Sequence, residues 1–166
     1  MIKTLKEKKP RISKEVFVAE NATIIGDVTI GKYSSIWYNT VLRGDLASIV
    51  IGENTSIQDG SIIHCDESIC TIVGNNITVG HNAVLHACKI NNGSLIGIGA
   101  IVLDQAEVGE GVIIGAGSIV TPRAKIPSHT IALGIPAKVV RELTDEEIKD
   151  LNKHALNYVE LMRRYE

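Results

Sequence analysis

Three of the five histidines, His64, His81 and His86, fall in one short stretch of the chain. Imidazole is the commonest protein ligand for a divalent transition ion and the side chain that exchanges protons near neutral pH. Three neutral imidazoles on one ion leave a further position open for water, the donor set of a catalytic rather than a structural zinc site. Arg43, Asp45, Gln58 and Asp59, which precede them, are charged and amide groups that would converge with the histidines if the backbone brings them together. The intervals between the histidines look irregular, so the backbone decides whether these residues meet.

That backbone is written in a repeat of six. Aliphatic residues recur at Val18, Ile24, Ile30, Ile36 and Leu42, then at Ile51, Ile57 and Ile63, then at Val73, Val79 and Leu85. After a short step they resume at Ile90 and continue every sixth residue to Ile126. Glycine often follows the aliphatic residue, as at Gly31, Gly52, Gly74, Gly97 and Gly115. A helix needs a period near 3.6 and a strand a period of 2, so this spacing fits neither. It predicts a parallel β-helix of hexapeptide repeats, with three hexads to a coil and about six coils from Val18 to Ile131.

The expected organisation is a single domain: a cap over residues 1–17, the β-helix over 18–140, and a C-terminal α-helix over 144–164. Thr144 with Glu147 three residues on forms a capping box, and Ile148, Leu151, Ala155, Val159 and Met162 make one apolar stripe that suits packing along the outside of the coils. A net charge of −2 offers no basic stripe for nucleic acid, and no run of about 18 apolar residues suggests a membrane span. The N-terminal stretch holds several lysines and no apolar core of a secretory leader, which makes the cytoplasm the expected location. Cys65, Cys70 and Cys88 lack paired spacing and read as small buried hydrophobes, with Cys65 expected to turn away from the face that carries His64.

Counting hexads from Val18 assigns every aliphatic position to one of three faces. The steps from Leu42 to Ile51 and from Ile63 to Val73, nine and ten residues, become insertions at corners. Leu42, Ile63 and Leu85 then share the second face, and Arg43, His64 and His86, which follow them, stack in one outward column with rungs about 4.8 Å apart. Two imidazoles so stacked can lean onto one ion at about 2.0 to 2.1 Å. His81 belongs to the first face, in the column of Asp59 and Tyr38. Around a threefold axis, the second face of one chain would meet the first face of the next, so each interface of a homotrimer would hold His64 and His86 from one chain and His81 from its neighbour. The alternative is that these histidines are hydrogen-bonded surface or interface residues without an ion.

Taken together, Arg43-Gly44-Asp45, Gln58-Asp59-Gly60, His64, the pair His81 and His86, Gly134-Ile135-Pro136-Ala137-Lys138 and Asn157-Tyr158-Val159-Glu160-Leu161 resemble the γ-class carbonic anhydrase family over nearly the whole chain. The resemblance implies a left-handed coil and His64, His81 and His86 as ligands of Zn2+, with Fe2+ or Co2+ as the other choices. It implies hydration of CO2 to bicarbonate, Gln58 and Asp59 as orienting groups, and Arg43 with Asp45 as an ion pair between subunits. Tyr158 would reach the site from the helix. The best-understood members carry Glu directly after the Arg-Gly-Asp motif, a long acidic loop after the first histidine, and Asn two before the Gln. Here those places hold Leu46, the short stretch Cys65 to Cys70, and Ser56. Without the usual glutamates the proton exit is missing; Asp66 and Glu67 are the only acids in that stretch, and Glu67 is the substitute nominated for the task. Two other functions fit the fold: transfer of an acyl group from acyl-CoA with one histidine as general base, and a metal-binding member with little hydration activity or a thioesterase-like one.

Overall fold

The computed structural model describes residues 1–165. The chain winds as a left-handed parallel β-helix with three faces and a single C-terminal helix. The first face stacks Phe17–Val18, Ser35–Ile36, Ser56–Ile57, Thr78–Val79, Leu95–Ile96, Ile113–Ile114 and Thr130–Leu133. The second carries Thr23–Ile25, Val41–Arg43, Ile62–His64, Val84–His86, Ile101–Val102 and Ile119–Val120 in parallel register. Along the third, Ile51, Val73, Ile90, Val108 and Ile126 follow Ile30.

The hexad predicts this because each inward position is aliphatic and each sits above the same position one coil earlier. Ile24, Leu42, Ile63, Leu85, Val102 and Val120 are all fully buried in one continuous core. Burying each such side chain contributes about 1.5–3 kcal/mol, so the stack is held by many similar increments rather than by one centre. Corners are turned by residues in the left-handed region, among them Asn39, Asn54, Asn76 and Asn82. Asparagine tolerates that conformation better than most residues, and its amide bonds the next rung, as Asn54 Nδ2 does to Asn76 Oδ1 at 3.1 Å. Among the described residues, every buried side-chain nitrogen and oxygen has a partner.

Residues 1–17 lie at the open end as a partial coil. Ile2–Lys3 pairs in parallel with Ile24 and Ile25, and Arg11–Ile12 with Thr29 and Ile30. Between them a short hairpin is closed by Leu5 and Lys8. At the other end Lys138–Glu142 reverses direction and pairs antiparallel with Thr130–Leu133. The helix Asp145–Met162 then runs back along the first face. It starts on the predicted capping box: Thr144 accepts from the Glu147 amide, and the Glu147 carboxylate accepts from Thr144. Leu151, Ala155, Val159 and Met162 are buried. At its far end Val159 and Met162 pack on Trp37, whose indole N–H is shared between Ser35 Oγ at 2.9 Å and Ser56 Oγ at 3.0 Å. That anchorage sets Tyr158 over the first face. No helix among the described residues is long and apolar enough to cross a membrane.

Candidate metal centre

The second-face column forms as the hexad count requires, with Arg43 opposite His64 and His64 opposite His86. The strand Val41–Ile51 runs on through the nine-residue step. Gly44 keeps the corner tight, because a Cβ there would lie 2.5 Å from the Asp27 carbonyl oxygen of the coil below. Arg43 and Asp45, two apart on an extended segment, point the same way, and their side chains bond each other within the chain. Asp45 also bonds His64 Nε2 at 2.9 Å. Partial burial pushes the Asp45 carboxyl up, but hydrogen bonds from His64 and Arg43 outweigh it and hold it at about 2. Asp45 is therefore an anion shared by a guanidinium and an imidazole.

The other nitrogens carry the argument further. His64 Nδ1 and His86 Nε2 face each other at 3.1 Å, while His86 Nδ1 bonds Asp104. An ionised carboxylate only accepts, so each ring places its N–H towards its aspartate, and a neutral imidazole then has a lone pair on the opposite nitrogen. Two lone pairs aimed at each other repel unless a cation sits before them. Bond lengths of about 2.0–2.1 Å in a tetrahedron put two ligand nitrogens about 3.3 Å apart, close to the separation found here. The donor chemistry and the spacing both fit a divalent metal.

A second set of groups lies on the first face. His81 Nδ1 meets Asp59 Oδ2 at 2.9 Å, which leaves Nε2 free on a half-exposed ring. Gln58 is buried beside it, and a cleft of about 220 Å3 brings Gln58, Asp59, His81 and Tyr158 together under the C-terminal helix. Within one chain the two sets stay apart. Among the described residues only Asp45, His64 and Cys65 form a trio of His, Cys, Asp or Glu with ligand atoms within 4.8 Å of one another. Cys65 is thus nearer the column than strand alternation predicts, because the chain turns at the end of Ile62–His64. Its thiol is nevertheless buried in the core, donating to Ala47 O at 3.1 Å and accepting from Ala47 N at 3.2 Å.

Glu67 is exposed on a small hairpin closed by Asp66 and Ile69, and among the described residues no hydrogen bond or ion pair joins its carboxylate to the histidines. Three residues at the site go beyond the sequence reading. Asp104 holds His86. Lys8, from the N-terminal hairpin, donates to the Asp45 and Leu46 carbonyls at 2.6 and 3.0 Å. His154 on the helix meets Thr78 Oγ1 at 3.1 Å and packs edge-on against Tyr158. The signal for Asp104 was the five-residue step after Leu85. That corner has three residues, 86–88, where the next coil has four, 103–106, and the surplus residue reaches back to His86.

Residues 87–122 match the family model described as bacterial transferase hexapeptide (six repeats). A protein of Methanocaldococcus jannaschii, named "Probable carbonic anhydrase", is 54% identical over 155 residues, which are 93% of this chain and 98% of that one. A carbonic anhydrase of Geobacillus kaustophilus is 49% identical over 165 residues, 99% and 91% of the two chains. The chain belongs to the γ-class carbonic anhydrase family. A solved structure of a hexapeptide transferase family protein from Anaplasma phagocytophilum matches with a TM-score of 0.96 at 43% identity, covering 99% of this chain and 98% of that one. In this member of the family Leu46, half exposed, follows Asp45 at the corner where the best-understood members place a glutamate.

Proposed function

We propose that the chain is a metal-dependent carbonic anhydrase working as a homotrimer in the cytoplasm, with His64 and His86 of one subunit and His81 of the next holding one ion. One observation carries this reading: each of the three histidines has one ring nitrogen bound to an aspartate, Asp45, Asp104 or Asp59, which leaves the other nitrogen for a ligand. Carboxylate-backed imidazoles are the pattern of metal-ligating histidine, and three such rings by chance on a solvated surface would need three coincidences. Zn2+, with Fe2+ or Co2+ as the other choices, supplies a Lewis acid that makes water a nucleophile near neutral pH.

The chain's own groups do the rest. Gln58, buried at the base of the first-face cleft, presents an amide able to orient CO2 or bicarbonate. Asp59 fixes the His81 ring, and Asp45 fixes His64 while Arg43 balances its charge. Tyr158 closes the cleft from the helix. Self-association is supported by the outward aliphatic row Val41, Ile62, Val84, Ile101 and Ile119, one above another on the second face, with Ile62 45% exposed. A single chain has no reason to line a face with such residues beside its histidines.

The weak point of the reaction is the proton exit. Leu46 cannot carry a proton; of the two acids in the histidine corner loop, Asp66 accepts from the Glu67 amide, and Glu67 is the one nominated for the task. This favours one second reading, a metal-binding member with slow hydration or with a thioesterase-like activity. Transfer from acyl-CoA would need only one histidine as general base, and it leaves three carboxylate-backed rings without a purpose.

Light scattering and metal analysis on protein purified without oxygen test the centre: a trimer with about one ion per chain is expected. A monomer, or His81→Ala with unchanged metal content, refutes it. Stopped-flow CO2 hydration then separates the two readings, since a metal-loaded trimer no faster than buffer is not a carbonic anhydrase. Glu67→Ala should slow hydration at low buffer concentration; an unchanged rate removes Glu67 from the route.

A further inference from the structure

Asp104 has no other side-chain hydrogen bond or ion pair among the described residues than the one to His86 Nδ1. It stands at a corner with one residue more than the corner of the coil before, followed by Gln105 in the left-handed region, and its own carbonyl accepts from the Arg123 amide at 2.9 Å. The backbone of that corner is therefore held by the stack, and nothing in the repeat calls for an acid there. We infer that Asp104 is a positioning residue: its carboxylate keeps the proton of His86 on Nδ1 and presents Nε2, as a lone pair, to the ion beside His64 Nδ1. Which nitrogen of a histidine carries the proton is set by the bond the other nitrogen makes, and such partners of ligating histidines govern affinity for the ion. Asp104 does for His86 what Asp45 does for His64, from the opposite side of the pair. The inference rests on the proposed metal centre.

Two measurements on the full-length protein test it: zinc affinity by competition with a chelator, and the His86 tautomer by side-chain nitrogen NMR of zinc-free protein in mildly alkaline buffer. Asp104→Ala is expected to weaken zinc binding by about 10- to 100-fold and to raise the fraction of His86 protonated at Nε2. Asp104→Asn, whose amide oxygen can still accept from Nδ1, should keep the tautomer and lose less affinity. An alanine variant with the affinity of the parent overturns the inference whatever its tautomer. Should the parent take up no ion, the metal-centre reading fails, and the tautomer alone then decides: if it is the same with and without the Asp104 carboxylate, the aspartate does not set the ring.

Discussion

Gly44→Ala is the substitution in which fold and site should fail together. A Cβ at this position would lie 2.5 Å from the Asp27 carbonyl oxygen, 2.9 Å from its carbon and 3.2 Å from Val28 Cγ2. All three belong to the coil below, and two of them are backbone, so no rotamer change relieves the clash. To restore ordinary contact the two corners must part by roughly 1 Å, and strain of this kind in a packed stack costs about 1–3 kcal/mol. The displaced residue is next to Asp45. A shift of that size disturbs the 2.9 Å hydrogen bond between the Asp45 carboxylate and His64 Nε2, so the ring loses part of its support. Loss of such a partner lowers metal affinity by about 10- to 100-fold. Urea unfolding of the zinc-free protein measures the first effect and zinc competition the second. Gly117→Ala is the control: its site is open, with nothing within 4 Å, but its φ of +66 makes alanine cost about 1–2 kcal/mol without touching the histidine corner. The reasoning is refuted if Gly44→Ala unfolds at the parent's urea concentration, or if both glycine variants weaken zinc binding equally.

Trp37→Phe should lower stability by about 1–3 kcal/mol in the same urea assay, because the buried hydroxyls of Ser35 and Ser56 lose the indole N–H that bridges them while the tilted ring contact with Phe17 survives. A thiol reagent on folded protein should label Cys70 alone, as intact mass will read: Cys70 is exposed, whereas Cys65 is buried and burial pushes the Cys88 thiol up to about 12. Acid should loosen the helix start before the coils. The Arg141 guanidinium, followed by the Thr144 amide, holds the Glu147 carboxyl down at about 2, so its contribution is present above the ordinary carboxylate range of about 4.3 and is lost as pH falls through about 2. Helical circular dichroism that declines over that interval in the parent but not in Glu147→Gln is the expected result.

Much of this molecule is legible because the hexad uses one kind of residue for one kind of place. Aliphatic side chains point inward at every sixth position, so counting them assigns each face, and the count sets Arg43, His64 and His86 in register without any knowledge of contacts. The lysine-rich first residues follow no such rule. Their pairing with Ile24 and Thr29 is made by backbone, which pattern does not record, and the Lys8 ammonium bonds backbone carbonyls at the Asp45 corner, acceptors that every residue type carries. Asp104 escaped because hexad counting tracks the faces and skips the corners. His154 escaped because a helix stripe tells which residues are buried, not which of their neighbours meets a hydroxyl across the groove.

The corners carry the proposed chemistry. Each departure from six falls after a second-face residue: nine residues after Leu42, ten after Ile63, five after Leu85. All three lie at one edge of the prism, in consecutive coils. The physical reason is that a regular corner only turns the chain and offers its side chains to solvent in every coil alike. The first insertion makes room for Asp45 to lie beside His64, the second lets the chain fold a hairpin away from the ring, and the shortened corner draws Asp104 of the following coil onto His86. A site on a repeat must break the repeat, and it breaks here on the side that carries two of the three rings. Restoring six should then undo the chemistry and spare the fold. Deleting residues 66–69, four of the ten, restores six and removes the hairpin without touching a buried aliphatic position, and it should leave a folded protein; because the Thr71 hydroxyl bonds the His64 carbonyl across that corner, the same deletion should weaken zinc binding. A deletion that leaves zinc affinity at the parent's level would show that the corner only spaces the strands.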